Sequence, residues 1–315
     1  MKTKFGKTIA GVALLFCAYG AGGCHGDLDI MQDNKLSASN MWKEESDATS
    51  ATYGLYVYLR SALKSMNDIY LCWGEFRNGL WGAGTNKTLS GVDQTQVRTS
   101  TMSSSNAYAD WSVMYKTVNQ ANLILKHVPE MGISESVRNF SLGNAYFSRA
   151  WCYFWIARIW GDAPLALTGY ESTGGDLYLP RAPKAEIFAR IESDLTEAER
   201  YVTDNSDKAV ATPAAVQMLK ADYALWMYRV AGGGSSYLTM AEKAIEALNL
   251  SASRLESDYA QVFSSANKLN KEVIFAVHQA NGEAVNGPGY YLGWNSNYVE
   301  AAYQNNPVPI TGGNQ

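Results

Sequence analysis

Apolar positions recur at helical spacing along most of the chain. Tyr53, Leu55, Tyr56, Leu59 and Leu63 predict a helix over 42–63. Trp111, Met114, Tyr115, Val118, Ala121 and Leu125 form one stripe over 110–127, ended by Pro129 and Gly132. The longest pattern covers 134–160. It starts at Ser134 and Glu135, carries Phe147, Trp151, Phe154 and Ile156, and stops at Gly161-Asp162-Ala163-Pro164. Further helices are predicted over 184–202, from Thr212-Pro213 to about 230, and over 237–248. Thr212 reads as an N-cap with Pro213 at the first helical position. Between 67 and 107 the periodicity fails and Gly, Asn, Ser and Thr gather, which predicts a long irregular insertion. Tyr259–Phe263 reads as a turn and Glu272–Val277 as a short buried strand. Residues 281–315 follow no periodic pattern.

Paired helices of this length, with alanine where helices approach, resemble tetratricopeptide units. The expected fold is therefore mainly α, a tetratricopeptide-like helical-repeat scaffold with long irregular loops and few short strands.

The amino terminus carries a different signal. Lys2, Lys4 and Lys7 precede the apolar run Ile9–Ala18, and small residues lead to Ala21-Gly22-Gly23-Cys24. The run is too short for a spanning helix of about 20 residues. Residues 1–23 resemble a bacterial lipoprotein signal, with cleavage leaving Cys24 at the new terminus to carry the lipid. An ordinary secretory signal with a coincidental cysteine is the alternative. Losing the three lysines takes the formal net charge from −4 to −7.

That charge removes the electrostatic case for nucleic-acid binding. Charged residues make up only 18% of the chain while aromatics reach 12%, a balance that suits uncharged, ring-shaped ligands or protein partners. Outside the signal and Cys24, only Cys72 and Cys152 remain, without metal-ligand spacing. Cys152 lies in an apolar helix, where a small buried hydrophobe is the default, and a Cys72–Cys152 disulfide is the alternative.

Catalytic signatures are missing from the sequence. The histidines are His25, His127 and His278, and no HExxH, GxSxG or phosphate loop occurs. The reading assigns no catalytic residue, no metal and no cofactor. Glycoside cleavage needs only two carboxylates, and the close pairs are Glu44/Glu45, Glu192/Asp194 and Glu197/Glu199. All sit at helical spacing beside Lys or Arg, as on a solvated face. Glu75, between Trp73 and Arg77, is the one acid embedded among loop aromatics.

Several segments, in order, resemble the SusD/RagB family of Bacteroidota lipoproteins. Trp42-Lys43-Glu44-Glu45-Ser46-Asp47-Ala48 with Tyr53 is similar to the family's first helix. Trp111, Tyr115, Val118-Asn119 and Ala121-Asn122 match its W-x-x-x-Y-x-x-I-N-x-A-N signature. Arg149-Ala150, Tyr153-Phe154 and Arg158–Leu165 resemble the long helix ending in Y-G-D-x-P-L, with Trp160 in place of the Tyr. Pro180–Pro183, Ile191–Leu195, Ala211–Ala215 and Glu272–Phe275 continue the match to about residue 280.

The resemblance implies a helical domain over 24–280, with the insertion at 67–107 and an irregular tail at 281–315 that begins a further carboxy-terminal region. It implies an outer-membrane protein, lipid-anchored and facing the cell exterior, an orientation that acidic Asp27 and Asp29 after Cys24 also suit. The function implied is capture of an oligosaccharide for a partner TonB-dependent barrel transporter, without catalysis. A surface lipoprotein glycoside hydrolase, a peptide-nutrient binder and a protein-binding scaffold are the alternatives.

Sugar rings stack an apolar C–H face on Trp or Tyr, while their hydroxyls need amides or carboxylates. Loop composition then nominates Trp73, Asn78, Trp81 and Asn86 in the insertion, and Tyr290, Tyr291, Trp294 and Asn295 near the end. Trp111, Trp151, Trp155 and Trp226 fall on apolar helix faces and read as core. Asn119, Asn122, Arg149 and Asp162 read as structural residues that tie backbone and helices together.

Overall fold

The computed structural model describes residues 41–74, 77, 92–172, 174–175, 177–251 and 254–279. Their elements are α1 (Glu45–Gly74), α2 (Val92–Thr99), α3 (Ser112–His127), α4 (Glu135–Trp160), α5 (Lys184–Tyr201), α6 (Pro213–Arg229), α7 (Ser235–Ala247) and α8 (Tyr259–Val262). A two-residue antiparallel pair joins β1 (Ala163–Pro164) to β2 (Arg181–Ala182). The mainly helical, repeat-like fold expected from the periodicity is the fold observed. Among the described residues, no helix is long and apolar enough to cross a membrane.

Helix starts follow local chemistry. The Thr212 hydroxyl accepts from the Ala215 N–H at 3.1 Å, and Pro213 occupies the first turn of α6 as expected. Pro183 at the start of α5 has no side-chain acceptor. Asp162 supplies one from a distance, accepting from the Lys184 N–H at 2.8 Å. Glu45 serves α4 in the same way, through the Ser134 N–H at 2.7 Å. The Ser134 contacts hold the Glu45 carboxyl below its ordinary pKa.

Packing makes neighbouring helices antiparallel. Tyr115 meets Tyr153 while Asn122 meets Arg149, so α3 runs against α4. Arg149 meets Asp194 while Tyr146 stacks on Tyr201, so α4 runs against α5. Glu192 meets Tyr223 while Glu199 meets Lys220, so α5 runs against α6. In contrast, α1 and α4 run parallel, because Thr52 bonds Ser141 near their starts and Trp73 meets Trp160 near their ends. Gly143 permits the close approach at the end of α5: a Cβ there would lie 2.6 Å from Val202 Cγ2 and 3.1 Å from its backbone nitrogen.

The core runs through Leu59, Met114, Phe147, Tyr153, Phe154, Ile187, Ile191 and Tyr223, each 0–2% exposed. Each such large side chain contributes about 1.5–3 kcal/mol by leaving water. Within it lies the carboxylate of Asp194. The Arg149 guanidinium donates to both oxygens of Asp194, at 2.8 and 2.7 Å, and to Asn122 Oδ1 at 2.7 Å. Burial disfavours the guanidinium's charge, but the bonds and attraction of Asp194 outweigh this and raise its pKa. A second node joins three elements. The Tyr56 hydroxyl donates to Asn144 Oδ1, and the Ala211 N–H reaches both, at 2.7 and 3.0 Å.

Four expectations need correction. The first helix continues past 63 to Gly74, because Ile69 and Cys72 extend its buried stripe against Val97 and Tyr108. The expected insertion at 67–107 therefore contains the last turns of α1 and all of α2. Glu272–Val277 forms no strand. Ile274, Phe275 and Val277 pack on the core, while Ala276 N–H donates to the Lys208 carbonyl at 2.9 Å. Asp194 does not lie on a solvated face but is fully buried. Cys72 and Cys152 form no disulfide and are buried in different clusters. Burial pushes the Cys152 thiol up to about 12.

Candidate functional site

The ends of α1 and α4 bring together a row of aromatic rings. Trp151 packs on Trp155 at 5.4 Å between centroids, Trp155 on Trp73 at 6.1 Å and Trp73 edge-on to Trp160 at 5.3 Å. Trp160 then meets Trp111 at 6.1 Å, and Trp111 meets Tyr115 at 6.1 Å. All six are half-buried, so one edge of the row packs on the core and the other is open. Two arginines lie over it: Arg181 is 4.9 Å above Trp111 and Arg158 is 5.5 Å above Trp155.

Hydrogen bonds fix the row. The Trp73 indole N–H donates to the Tyr108 carbonyl at 2.8 Å, and that of Trp160 to the Ala109 carbonyl at 3.1 Å. Both indoles thus hold the short 3-10 turn Ala107–Ala109, which Asn106 caps by accepting from the Tyr108 N–H.

Beside Trp111 opens a cavity of about 320 Å³ whose walls include Tyr115, Asn119, Tyr170, Leu177 and Leu179. Its shape depends on the loop after α4, and the α3 signature residues hold that loop. Tyr115, Asn119 and Asn122 recur at i, i+4 and i+7 on one helix face. The Tyr115 hydroxyl donates to the Pro164 carbonyl at 2.6 Å, and Asn122 Nδ2 donates to the Ala166 carbonyl at 2.9 Å. Asn119 gives Tyr170 a two-way pair: its amide donates to the Tyr170 carbonyl at 3.1 Å and accepts from the Tyr170 N–H at 2.7 Å. From α4, Tyr153 adds a bond to the Ala166 carbonyl at 2.7 Å. Burial pushes the phenols of Tyr115 and Tyr153 well above their ordinary range, so both remain protonated donors.

The nominated residues meet this geometry unevenly. Trp73 belongs to the row, and it lies in the last turn of α1 rather than in a loop. Asn78, Trp81, Asn86, Tyr290, Tyr291, Trp294 and Asn295 lie outside the described residues, as do Cys24 and Glu75. Trp111, Trp151 and Trp155, read as core from their apolar faces, lie half-buried at its edge, as Trp226 does. Sequence reasoning nominated Trp73 but missed Trp111, Tyr115, Trp151, Trp155 and Trp160 as site residues. The available signal was three tryptophans in the last ten residues of α4.

Asp194 and Glu192 are engaged in internal contacts. Asp194 is held by Arg149 and by Arg190 at 2.9 Å. Glu192 Oε1 accepts from the hydroxyls of Tyr223 and Tyr237, at 2.7 and 2.6 Å. Among the described residues, no three His, Cys, Asp or Glu side chains group as a metal site would require.

Fold and row together define a helical-repeat scaffold that presents a polar-rimmed aromatic surface at one end. Residues 81–226 match the model of a SusD-like family described as "starch-binding associating with outer membrane". SusD-like protein P38 of Formosa agariphila is 28% identical over 180 residues, 57% of this chain and 34% of that protein. SusD-like protein P25 of the same organism is 25% identical over 296 residues, 87% and 52% of the two chains. The solved structure of B. fragilis NanU superposes with a TM-score of 0.68 at 30% identity, covering 79% of this chain and 51% of that one. Family model, relatives and structure agree with the motifs, and over these residues the chain is similar to SusD-like proteins. It spans a third to a half of the length of these relatives.

Proposed function

We propose that the protein is a cell-surface lipoprotein that binds oligosaccharides without cleaving them and delivers them to a TonB-dependent outer-membrane transporter. The observation that carries this reading is the row of half-buried rings from Trp151 to Tyr115. Indole and phenol faces at a protein edge match the C–H face of a pyranose, and the scarcity of charge suits a neutral ligand. The segment bearing Asn78, Trp81 and Asn86 follows Trp73 in sequence, and its amides suit sugar hydroxyls. Tyr290, Tyr291, Trp294 and Asn295 are proposed to contribute in the same way. The family description, starch-binding and outer-membrane-associated, supports both ligand class and location.

Cys24 is the proposed lipid site, which anchors the mature chain to the outer membrane, facing the exterior. Binding without turnover is supported by the employment of Asp194 and Glu192 in internal contacts.

The test has two parts. The tagged, signal-bearing protein is recovered from detergent-solubilised outer membranes of its host, and a large barrel transporter should come with it. Calorimetry of the purified chain with maltoheptaose should give saturable heat. A surface-exposed protein recovered alone would remove the transporter partner, and absence of binding to maltoheptaose and to laminarihexaose would remove the glycan ligand.

A further inference from the structure

A second depression lies at the other end of α4. It is a cleft of about 540 Å³ between the first turns of α1 and α4 and the chain leaving α5. That volume falls within the roughly 300–1,000 Å³ of small-molecule sites. Phe140 in its wall and Trp155 in the aromatic row are fifteen residues apart on one helix. At 1.5 Å per residue this separates the two places by roughly 22 Å.

We propose that this cleft is a second sugar-binding subsite, an assignment that rests on the glycan-binding reading above. Its aromatic surface is built and partly open. Tyr53 is 49% exposed and meets Phe140 at 5.9 Å between ring centroids. Tyr201 on the opposite wall is held by stacking against Tyr146 at 6.0 Å, with the rings within 7° of parallel.

Polar groups suited to hydroxyls accompany the rings. Among the described residues, the Asn139 amide and the Thr203 hydroxyl have no hydrogen-bond partner, although both residues line the cleft. Asp204 is the one formally charged side chain among the lining residues. It accepts from the Ser206 N–H and hydroxyl at 2.8 and 2.7 Å, contacts that lower its pKa and keep it an acceptor.

These features select the ligand class. Among the described residues lining the cleft there is no cation, which disfavours phosphates and carboxylates. Two of the three walls are helices whose backbone groups bond internally, so they offer no strand edge to an extended peptide. An uncharged ring with an apolar face and many hydroxyls satisfies both rings and polar groups, which describes a pyranose residue.

The test uses the full chain with maltoheptaose and, separately, laminarihexaose as probes. Hydrogen exchange with the bound probe should slow over residues 136–144 and 201–204. Tyr53→Ala combined with Asn139→Ala should weaken affinity by about tenfold, the scale of one lost aromatic contact. Thr203→Lys, which places a bulky cation in the cleft without emptying the packing behind it, should weaken affinity too. Binding that leaves exchange at 136–144 and 201–204 unchanged, with wild-type affinity in both variants, refutes the subsite and leaves the proposed function standing. No binding of either probe removes both.

Discussion

Arg149 and Asp194 face each other across the α4–α5 interface, joined by two hydrogen bonds of 2.8 and 2.7 Å, and Asp194 is wholly excluded from water. Such a pair contributes little net stability when intact, because desolvating both charges costs about what their attraction returns. Breaking it is another matter. Asp194→Ala leaves the guanidinium buried without its partner and should cost about 3–5 kcal/mol, read from urea unfolding. Arg149→Met combined with Asp194→Leu should regain most of that loss. A single-variant loss below about 1 kcal/mol would mean that water reaches the site.

The loop after α4 is held by Asn119 as a strand would be held by a neighbouring strand. Replacing Asn119 with Leu, similar in size, deprives the Tyr170 N–H and carbonyl of their partners and should cost about 1–3 kcal/mol. Gly169→Ala attacks the same contact by another route, because its Cβ would stand 2.9 Å from the Leu123 nitrogen. Both variants should speed hydrogen exchange over 165–171 while leaving α6 unchanged. Exchange at wild-type rates in both would show that the loop is held elsewhere.

Trp73 packs on the core, and on the proposed function it also presents a ring to the ligand. Trp73→Phe keeps a ring but loses the N–H donated to Tyr108, so stability should fall by about 1 kcal/mol while maltoheptaose affinity is largely retained. Trp73→Ala should lower stability further and weaken affinity by about tenfold. Calorimetric affinity unchanged in the Ala variant would take Trp73 out of the site.

Glu171 accepts from Lys126 and His127, each at 2.6 Å, and Trp42 stacks on the His127 ring at 4.9 Å. The Lys126 bond is the largest cause holding the Glu171 carboxyl below its ordinary value of 4.5. A depressed carboxyl contributes stability that is present above the unfolded pKa and lost as pH falls through the folded one. Glu171→Gln should therefore lower the melting temperature at neutral pH, with the gap to wild type closing as pH drops below 4.5. A gap that stays constant across this range would assign the effect to packing.

Of the row, the sequence nominated Trp73 alone, from loop composition, while Tyr115, Asn119 and Asn122 read as stripe and structural residues of a helix motif. The remaining tryptophans of the row were not readable as a surface. Periodicity identifies the face a side chain shares, and Trp151 and Trp155 share the apolar face of α4. Whether a position on that face is covered depends on where its neighbours end, and α1 and α3 leave the last turns of α4 only half-covered.

Sequence by itself determined α3 to α7 and the cap of α6 at Thr212, because capping and 3.6-residue periodicity act over a few neighbouring residues. It also carried the resemblance to SusD-like proteins, through motifs whose side chains do structural work. Tertiary structure alone decided that Asp194 is buried rather than solvated, that residues 272–277 pack without a ladder, and that five tryptophans from three segments form one row. Each of these outcomes depends on a partner distant in sequence. Arg149 lies 45 residues from Asp194, and Tyr108 lies 35 from Trp73, separations across which no local pattern carries information.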